Sequence, residues 1–465
     1  MKKTILGLFL VSAVLMVTGC NKNDDSTAKQ VSGKYKDVTI EKDANGKVLD
    51  FGGMSVILAD YWSGEDAEAG EAVSKLDEDN RAWHKFTQDT YNFKFKQMQL
   101  GAWDEHPQEV TNFCVTGGDE NYVFIVDTRS IITGMKGELF YDLSKFKDID
   151  WNKDKWNKGV SQLITRGNSF YAMSTAKPEP RQGVFFNKRL LEEAGIDPDA
   201  PYDLQKEGKW TWEAFEDMLK KCTRDMDNDG IMDTYGMANS STEFTPTACI
   251  SNGIAMIGRD ENGKFVNNCG DDRVLETINW VAHLVQNYEM PQPEGSNWDW
   301  VYAAFQNGQV AFQIDQEYNA QPNQRYASMK DDYGYVAFPL GPKGDGKYRT
   351  LNQDNMYVIP AIYDDERAAK IMKIFDLWSD PTPGYDNNEV WKEGYYNHFR
   401  DERAVDETLV YLMENPCPNY STLIPGINYM GDMIWNTYGG WVTPQEAYES
   451  SKNNWAALLD DANNW

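Results

Sequence analysis

Met54-Ser55-Val56-Ile57-Leu58-Ala59-Asp60-Tyr61-Trp62-Ser63-Gly64-Glu65 is a short apolar run that breaks abruptly into polar and aromatic residues. A helical stretch follows through Trp83 and Phe86, and Phe93 and Phe95 then alternate with polar residues as a strand does. A second buried-strand pattern, Tyr122 to Val126, runs into Asp127-Thr128-Arg129. Strand, helix, strand, with polar residues just past the strand ends, is the α/β arrangement whose ligands sit at those ends.

The pattern continues along the chain. Val184-Phe185-Phe186 reads as a strand, and Lys188 to Ala194 as a helix stopped by Gly195. Thr211 is placed to cap a helix on which Phe215, Met218, Leu219 and Cys222 cover one face. Further on, Val310 to Ile314 is a strand ending in Asp315-Gln316-Glu317-Tyr318; Tyr335 to Phe338 and Met356 to Ile359 are two more. Thr443-Pro444-Gln445-Glu446 has the residues of a capping box with proline in the first turn, so a last helix starts there. Upstream, Val38 and Ile40, then Asn45-Gly46 before Val48, suggest a small hairpin.

At 465 residues the chain is long for one compact core, and two lobes are expected. Its net charge of −28 argues against a nucleic-acid partner, and no basic stripe interrupts it. Sixteen Trp and 25 Tyr in so polar a chain would suit a surface that stacks sugars, although most buried aromatics are core. No G-x-S-x-G elbow, H-E-x-x-H helix or P-loop is present, and only four His are scattered through the sequence.

Lys2 and Lys3 precede an apolar run from Ile5 to Val17, followed by Val17-Thr18-Gly19-Cys20. The run is too short for a mature membrane span and reads as a secretory signal. Its end resembles the bacterial lipobox, which implies a lipidated, palmitate-bearing Cys20 anchoring the protein to the cell membrane on the extracytoplasmic side. Residues 21–34 then form a polar tether. Five cysteines remain, an odd number, and buried free thiols are the simpler expectation, although Cys249 and Cys269 could bridge.

Asp225-Met226-Asp227-Asn228-Asp229-Gly230-Ile231-Met232-Asp233 follows the helix capped by Thr211. Alternate carboxylates of Asp225, Asp227 and Asp229, a glycine at the sixth place, the Ile231 carbonyl and Asp233 suit an oxygen cage for calcium. Gly236 stands where a bidentate acid would complete such a loop. A solvated acidic turn is the alternative. A single loop of this kind points to a structural role for the ion, stapling one lobe.

Five segments together resemble the family 1 extracellular solute-binding proteins of bacterial ABC importers, the sugar-binding group that includes maltose-binding protein. They are the lipobox; Asn187 to Gly195; Thr211-Trp212-Glu213-Ala214-Phe215; Ala304 to Phe312; and Thr443 to Tyr448. Some members also carry a calcium loop after the second of these helices. The resemblance spans about Met54 to Leu459 and implies a two-lobed α/β periplasmic-binding-protein type II fold with the ligand cleft between discontinuous lobes. Its expected boundaries are 1–20 for the signal, 21–34 for the tether, 35–175 plus 333–380 for lobe 1, and 176–332 plus 381–465 for lobe 2. It implies a monomer without catalysis that captures a carbohydrate and hands it to membrane permease subunits.

By similarity, Glu65 and Asp66 after the first strand, Thr128 and Arg129 after the third, Glu243 and Phe244 in the second lobe, and Tyr318 hold the ligand. At the last position the maltose group carries a stacking tryptophan. Trp62 and Asp127 lie beside these residues. Asp315, Glu317, Arg181 on the expected crossing strand, Trp300, Asp354 and Trp435 are candidates by position and residue type. A lipid-anchored glycoside hydrolase would also use a carboxylate pair in a Trp-lined cleft, and a peptide or other small-solute binder could share the scaffold.

Overall fold

The computed structural model describes residues 34–464, except 176, 240–242, 353–354 and 386–388. The signal, tether and Cys20 expectations lie outside the described residues, as does Asp354. Of the described residues, 34–49 belong to a unit of their own, separate from the one that holds 50–464. In it Lys42 bridges Val48 antiparallel around a turn whose Asp43 carboxylate accepts the Asn45 and Lys47 amides. The hairpin read from Asn45-Gly46 is therefore present, with Gly46 at φ 76°.

Within 50–465 the first sheet is built on β1 (Met54–Asp60), β2 (Phe93–Gln99) and β3 (Tyr122–Val126). β1 pairs parallel with both, and Met356–Val358 adds antiparallel to β3. β3 buries its last four side chains, as a strand covered on both faces must. β2 buries Phe93 and Phe95 while Lys94 and Lys96 face solvent, which fits its place at the sheet edge. The helix Lys75–Tyr91 is capped by Ser74, whose hydroxyl accepts the Asp77 amide, and ends at Asn92 in the left-handed region. A short hairpin, β4 (Thr165–Arg166) and β5 (Ser169–Phe170), precedes the crossing to the second lobe.

The second sheet contains β6 (Gly183–Asn187) and β7 (Tyr235–Asn239). After a small hairpin, β8 (Ile257–Arg259) with β9 (Phe265–Asn267), come β10 (Val310–Asp315) and β11 (Tyr333–Ala337). The order is β11-β6-β10-β7. Thr211 caps the helix Trp212–Cys222 as the sequence suggested, and Trp212, Phe215, Met218, Leu219 and Cys222 are buried in the core of this lobe. Thr443 and Glu446 complete the capping box, each accepting the other's amide, and the helix they start buries Trp455 in the same core.

Among the described residues, three stretches join the lobes. Residues 173–182 leave the first sheet where Met173 bridges Tyr357 and reach β6 after Pro180 bridges Asn352. β12 (Thr350–Asn352) lies between this stretch and β14 (Pro416–Pro418), and β13 (Met356–Val358) follows β12 into the first sheet. The return to lobe 1 was expected at 333. It comes later, because β11 pairs with β6 through Tyr333↔Asn187 to Ala337↔Gly183, and its five side chains are buried in lobe 2. The second crossing also lies beyond 381. Thr382 and Tyr385 still bond Asn80 and Asp79 of lobe 1, whereas Trp391 and Tyr395 pack on the second lobe.

Candidate functional site

The parallel strands of the first sheet point their C-terminal ends at the junction, as do β7 and β10 of the second. β6 starts there, Gly183 opposite Asp315. Polar residues following these ends are therefore brought together by topology.

On the first-lobe side Asp60, the last residue of β1, is fully buried. One carboxylate oxygen accepts the amides of Trp62 and Ser63, both at 3.0 Å. The other accepts Gln97 Nε2 at 2.6 Å and the Ser63 hydroxyl. Asp60 thus fastens the loop that presents Trp62, whose side chain is 48% exposed and stands edge-on to Tyr61. Tyr61 in turn donates to Asn355 Oδ1 at 3.1 Å. Glu65 and Asp66 are exposed, and Asp66 accepts the Glu68 amide. Asp127 is buried and accepts the amide and hydroxyl of Ser130 at the start of the helix Thr128–Lys136. The Thr128 hydroxyl is buried with no hydrogen-bond partner among the described residues. The Arg129 side chain is not among those described.

On the second-lobe side Arg181 Nη1 lies 3.3 Å from Glu179 Oε1, and its guanidinium is 5.6 Å from the centre of the Tyr318 ring. Glu317 is buried beside them. Burial, then the Glu179 charge, pushes its carboxyl well above the usual range against the pull of Arg181. Burial likewise raises Glu179, again opposed by Arg181. Tyr318 is pushed up to about 12 by burial and by Asp315. Glu243 accepts Gln182 Nε2 at 3.1 Å. Tyr395, from the last crossing stretch, is raised first by burial and then by Glu317 and Glu179, which places it at the same cluster.

Arg181, Glu243, Glu317 and Tyr318 are thus brought to one place, and Asp315 lies behind them. Asp315 holds structure: its buried carboxylate accepts Asn319 Nδ2 at 2.9 Å and the Tyr326 hydroxyl at 2.5 Å. Phe244 is not a surface ring. It is fully buried against Phe338 in the lobe-2 core, because it starts a helix whose first turn packs inward. Trp300 begins the helix Trp300–Gln306 and packs half-buried against the core. Trp435 is 60% exposed and edge-on to Tyr438, whose hydroxyl meets Thr245 at 2.8 Å.

Sequence reasoning passed over Asp60, Glu179, Gln182, Gln313, Tyr335 and Tyr395. Alternation held a signal for two of them. Glu179 stands two residues before Arg181 on an extended stretch, and Gln313 two before Asp315 on β10, so each pair shares a face. Glu289 was also missed. It bonds the Asn239 amide at the end of β7, and burial pushes its carboxyl up to about 8.

In the aspartate loop, carboxylate oxygens of Asp225, Asp227 and Asp229 lie within 4.8 Å of one another. Asp225 accepts the Asn228 and Gly230 amides, Asp229 that of Ile231, and Asp233 that of Met226. Asn228 and Gly230 take positive φ, which winds the loop around its acidic centre. The donor set is all hard oxygen, as calcium requires, and the twelfth-position acid is missing here as in the sequence. The five cysteines after Cys20 are free thiols, four of them buried.

Residues 137–373 match the family profile described as bacterial extracellular solute-binding protein. The chain belongs to this family. Among solved structures, it is similar to an ABC substrate-binding protein from Listeria monocytogenes in complex with cycloalternan. That match has TM-score 0.57 and 18% identity, over 86% of this chain and 97% of that one. The cyclic alpha-maltosyl-1,6-maltose binding protein of Arthrobacter globiformis gives TM-score 0.62 and 12% identity over 88% and 100%. UgpB from Mycobacterium tuberculosis, in complex with glycerophosphocholine, gives 0.58 and 14% over 83% and 95%. No curated protein sequence matches. The architecture of this solute-binding protein is the two-lobed periplasmic-binding-protein type II fold. Among its described residues no helix is long and apolar enough to cross a membrane.

Proposed function

We propose that this solute-binding protein captures a carbohydrate, an oligosaccharide, between its lobes and delivers it to the permease of an ABC transporter without changing it. The observation that carries the reading is the junction itself. On the first-lobe side the half-exposed Trp62 offers a flat apolar face, and on the second-lobe side the Tyr318 ring lies with Arg181, Glu179, Glu243 and Glu317, which offer hydrogen-bonding groups. Pyranose rings need both kinds of contact. Of the similar solved structures, one is described in complex with cycloalternan and another as a cyclic alpha-maltosyl-1,6-maltose binding protein, which agrees with this ligand class. A third is described with glycerophosphocholine, so binding of another small solute is the alternative. The residues proposed to contact the ligand are Trp62, Thr128, Glu179, Arg181, Glu243, Glu317 and Tyr318.

Ligand bridging both walls would favour a closed arrangement of the lobes in proportion to the contacts it adds there. The protein is read as a monomer, lipidated at Cys20 and held at the membrane through that anchor alone. Calcium in the Asp225–Asp233 loop would add to the stability of lobe 2 by binding the folded state. Calorimetry of ligand-free protein against an oligosaccharide panel, with product analysis of the same samples, tests the reading. Saturable binding of unchanged sugar supports it. Released monosaccharide would turn it into a glycoside hydrolase.

A further inference from the structure

Arg325 lies in the turns that follow Tyr318, and its main chain is fixed from two sides. Gln306, at the end of the helix Trp300–Gln306, donates its side-chain amide to the Arg325 carbonyl. The next residue, Tyr326, is fully buried and donates to the Asp315 carboxylate. The Arg325 side chain then lies over the ring of Tyr302, on the same helix as Gln306, with its guanidinium 3.5 Å from the ring centre. Trp298 meets Tyr302 edge-on at 6.2 Å and is itself 70% exposed. Arg325 and Tyr302 both act on the Tyr318 hydroxyl, as Arg181 does, so this group continues the wall that carries Tyr318.

The guanidinium of Arg325 is held in place but has no acceptor. Among the arginines whose side chains are described, each of the others meets a carboxylate, an amide oxygen or a main-chain carbonyl. Arg181 pairs with Glu179, Arg189 with Asp331 and Arg403 with Glu407, and Arg400 donates to the Asp331 carbonyl. Arg325 alone of that set makes neither hydrogen bond nor ion pair through its side chain. This is so in a chain with 73 Asp and Glu against 45 Lys and Arg. Asp315, the acid that acts on Tyr318 and Tyr326 together with Arg325, is occupied by Asn319 and Tyr326. Arg325 is half-buried, yet none of its nitrogens is shut away from solvent without a partner. Stacking on a ring leaves the edge of the guanidinium open, and a planar carboxylate can accept from two of its donors at once. A sugar hydroxyl accepts from one and gains little from the charge.

We infer that Arg325, stacked on Tyr302 beside Trp298, forms an outer subsite of the second-lobe wall for a sugar that carries a carboxylate. Resting on the carbohydrate reading above, the ligand class is an oligosaccharide containing a uronic acid. Arg325 is the residue that sets the preference for acidic over neutral sugar, and Trp298 supplies the ring face against which that sugar packs.

Calorimetry near neutral pH with three sets matched in length and linkage tests this: oligogalacturonates and oligoglucuronates, their methyl esters, and the corresponding neutral hexose oligosaccharides. At low salt the acid should bind about ten-fold more tightly than the ester or the neutral sugar, and the preference should shrink as salt is added. Arg325→Gln should erase the preference while leaving the affinity for neutral sugar and the melting temperature near their starting values. Should that variant fail to fold, Arg325→Lys, which keeps the charge and loses the planar fork, should retain only part of the preference. Neutral sugars or esters binding as tightly as the acids, or a full preference that survives either substitution, would overturn the inference and leave the carbohydrate reading intact. So would binding confined to neutral oligosaccharides outside these sets. No binding by any glycan would count against the carbohydrate reading, and this inference would fall with it.

Discussion

Removing calcium, or removing one of its proposed ligands, is the sharpest perturbation of the aspartate loop. Three carboxylate oxygens within 4.8 Å repel by about 1 kcal/mol per pair in water, less once salt screens them. The loop tolerates this by spending carboxylate oxygens on backbone amides, four of which come from Met226, Asn228, Gly230 and Ile231. A bound cation reverses the sign of the interaction. If the ion is present at about ten to a hundred times its dissociation constant, the folded state gains about 1.4–2.7 kcal/mol. For a lobe of this size that corresponds to about 3–6 °C in melting temperature. Asp227→Ala removes one of the three acids, so the variant should melt at or slightly above the wild type in chelator and clearly below it in calcium. Differential scanning calorimetry of both proteins, with calcium and with chelator, measures the four values. Equal melting of the wild type in the two buffers, or an equal response of the variant, would refute the reasoning.

Two further predictions concern stability. Glu289 has its carboxyl raised from 4.5 to about 8 by burial, so the folded protein keeps a proton that the unfolded chain loses between those values. Its contribution is therefore full below about pH 4.5 and falls as pH rises towards 8, by at most about 5 kcal/mol and by less where solvent reaches the side chain. Glu289→Gln should flatten that part of the stability–pH curve and stabilise the protein by about 1–3 kcal/mol at the upper end; an unchanged slope in urea titrations would contradict this. Thr211 accepts the Ala214 amide at 3.3 Å, and Thr211→Ala should cost about 1 kcal/mol without altering ligand affinity. Chemical denaturation reads the first quantity and calorimetry the second.

Periodicity carried the architecture well because each lobe buries a sheet whose strands are nearly continuous apolar runs, such as Tyr122–Val126 and Val310–Ile314. The caps at Thr211 and Thr443 were legible because hydrogen bonding there is local in sequence. The return between lobes was placed too early for the opposite reason. Whether Tyr333–Ala337 joins one sheet or the other depends on pairing with Gly183–Asn187, about 150 residues away, and nothing local encodes that choice. The candidate cluster was legible only in part. Arg181 on the expected crossing strand, Glu317 after a strand and Tyr318 by resemblance were candidates that the structure brings together, but Asp60 was passed over because a strand's last aspartate reads as core boundary until its bonds to Trp62, Ser63 and Gln97 are seen. Phe244 shows the converse. A polar–aromatic pair in the expected register looked like a ligand contact, and the first turn of its helix faces the core.

Trp62 separates packing from recognition. Its half-exposed ring touches Tyr61 and is absent from the buried core, so Trp62→Ala should weaken sugar binding by about ten-fold or more with little change in melting temperature. A large loss of stability at unchanged affinity would assign the ring to packing instead.

The central claim, that this chain binds an oligosaccharide without chemistry, is tested most directly by titrating ligand-free protein with a panel of oligosaccharides in a calorimeter and analysing the sugars afterwards. The prediction is saturable binding of one sugar per protein, recovered intact. Absence of binding by every glycan, or recovery of shortened sugars, would contradict it.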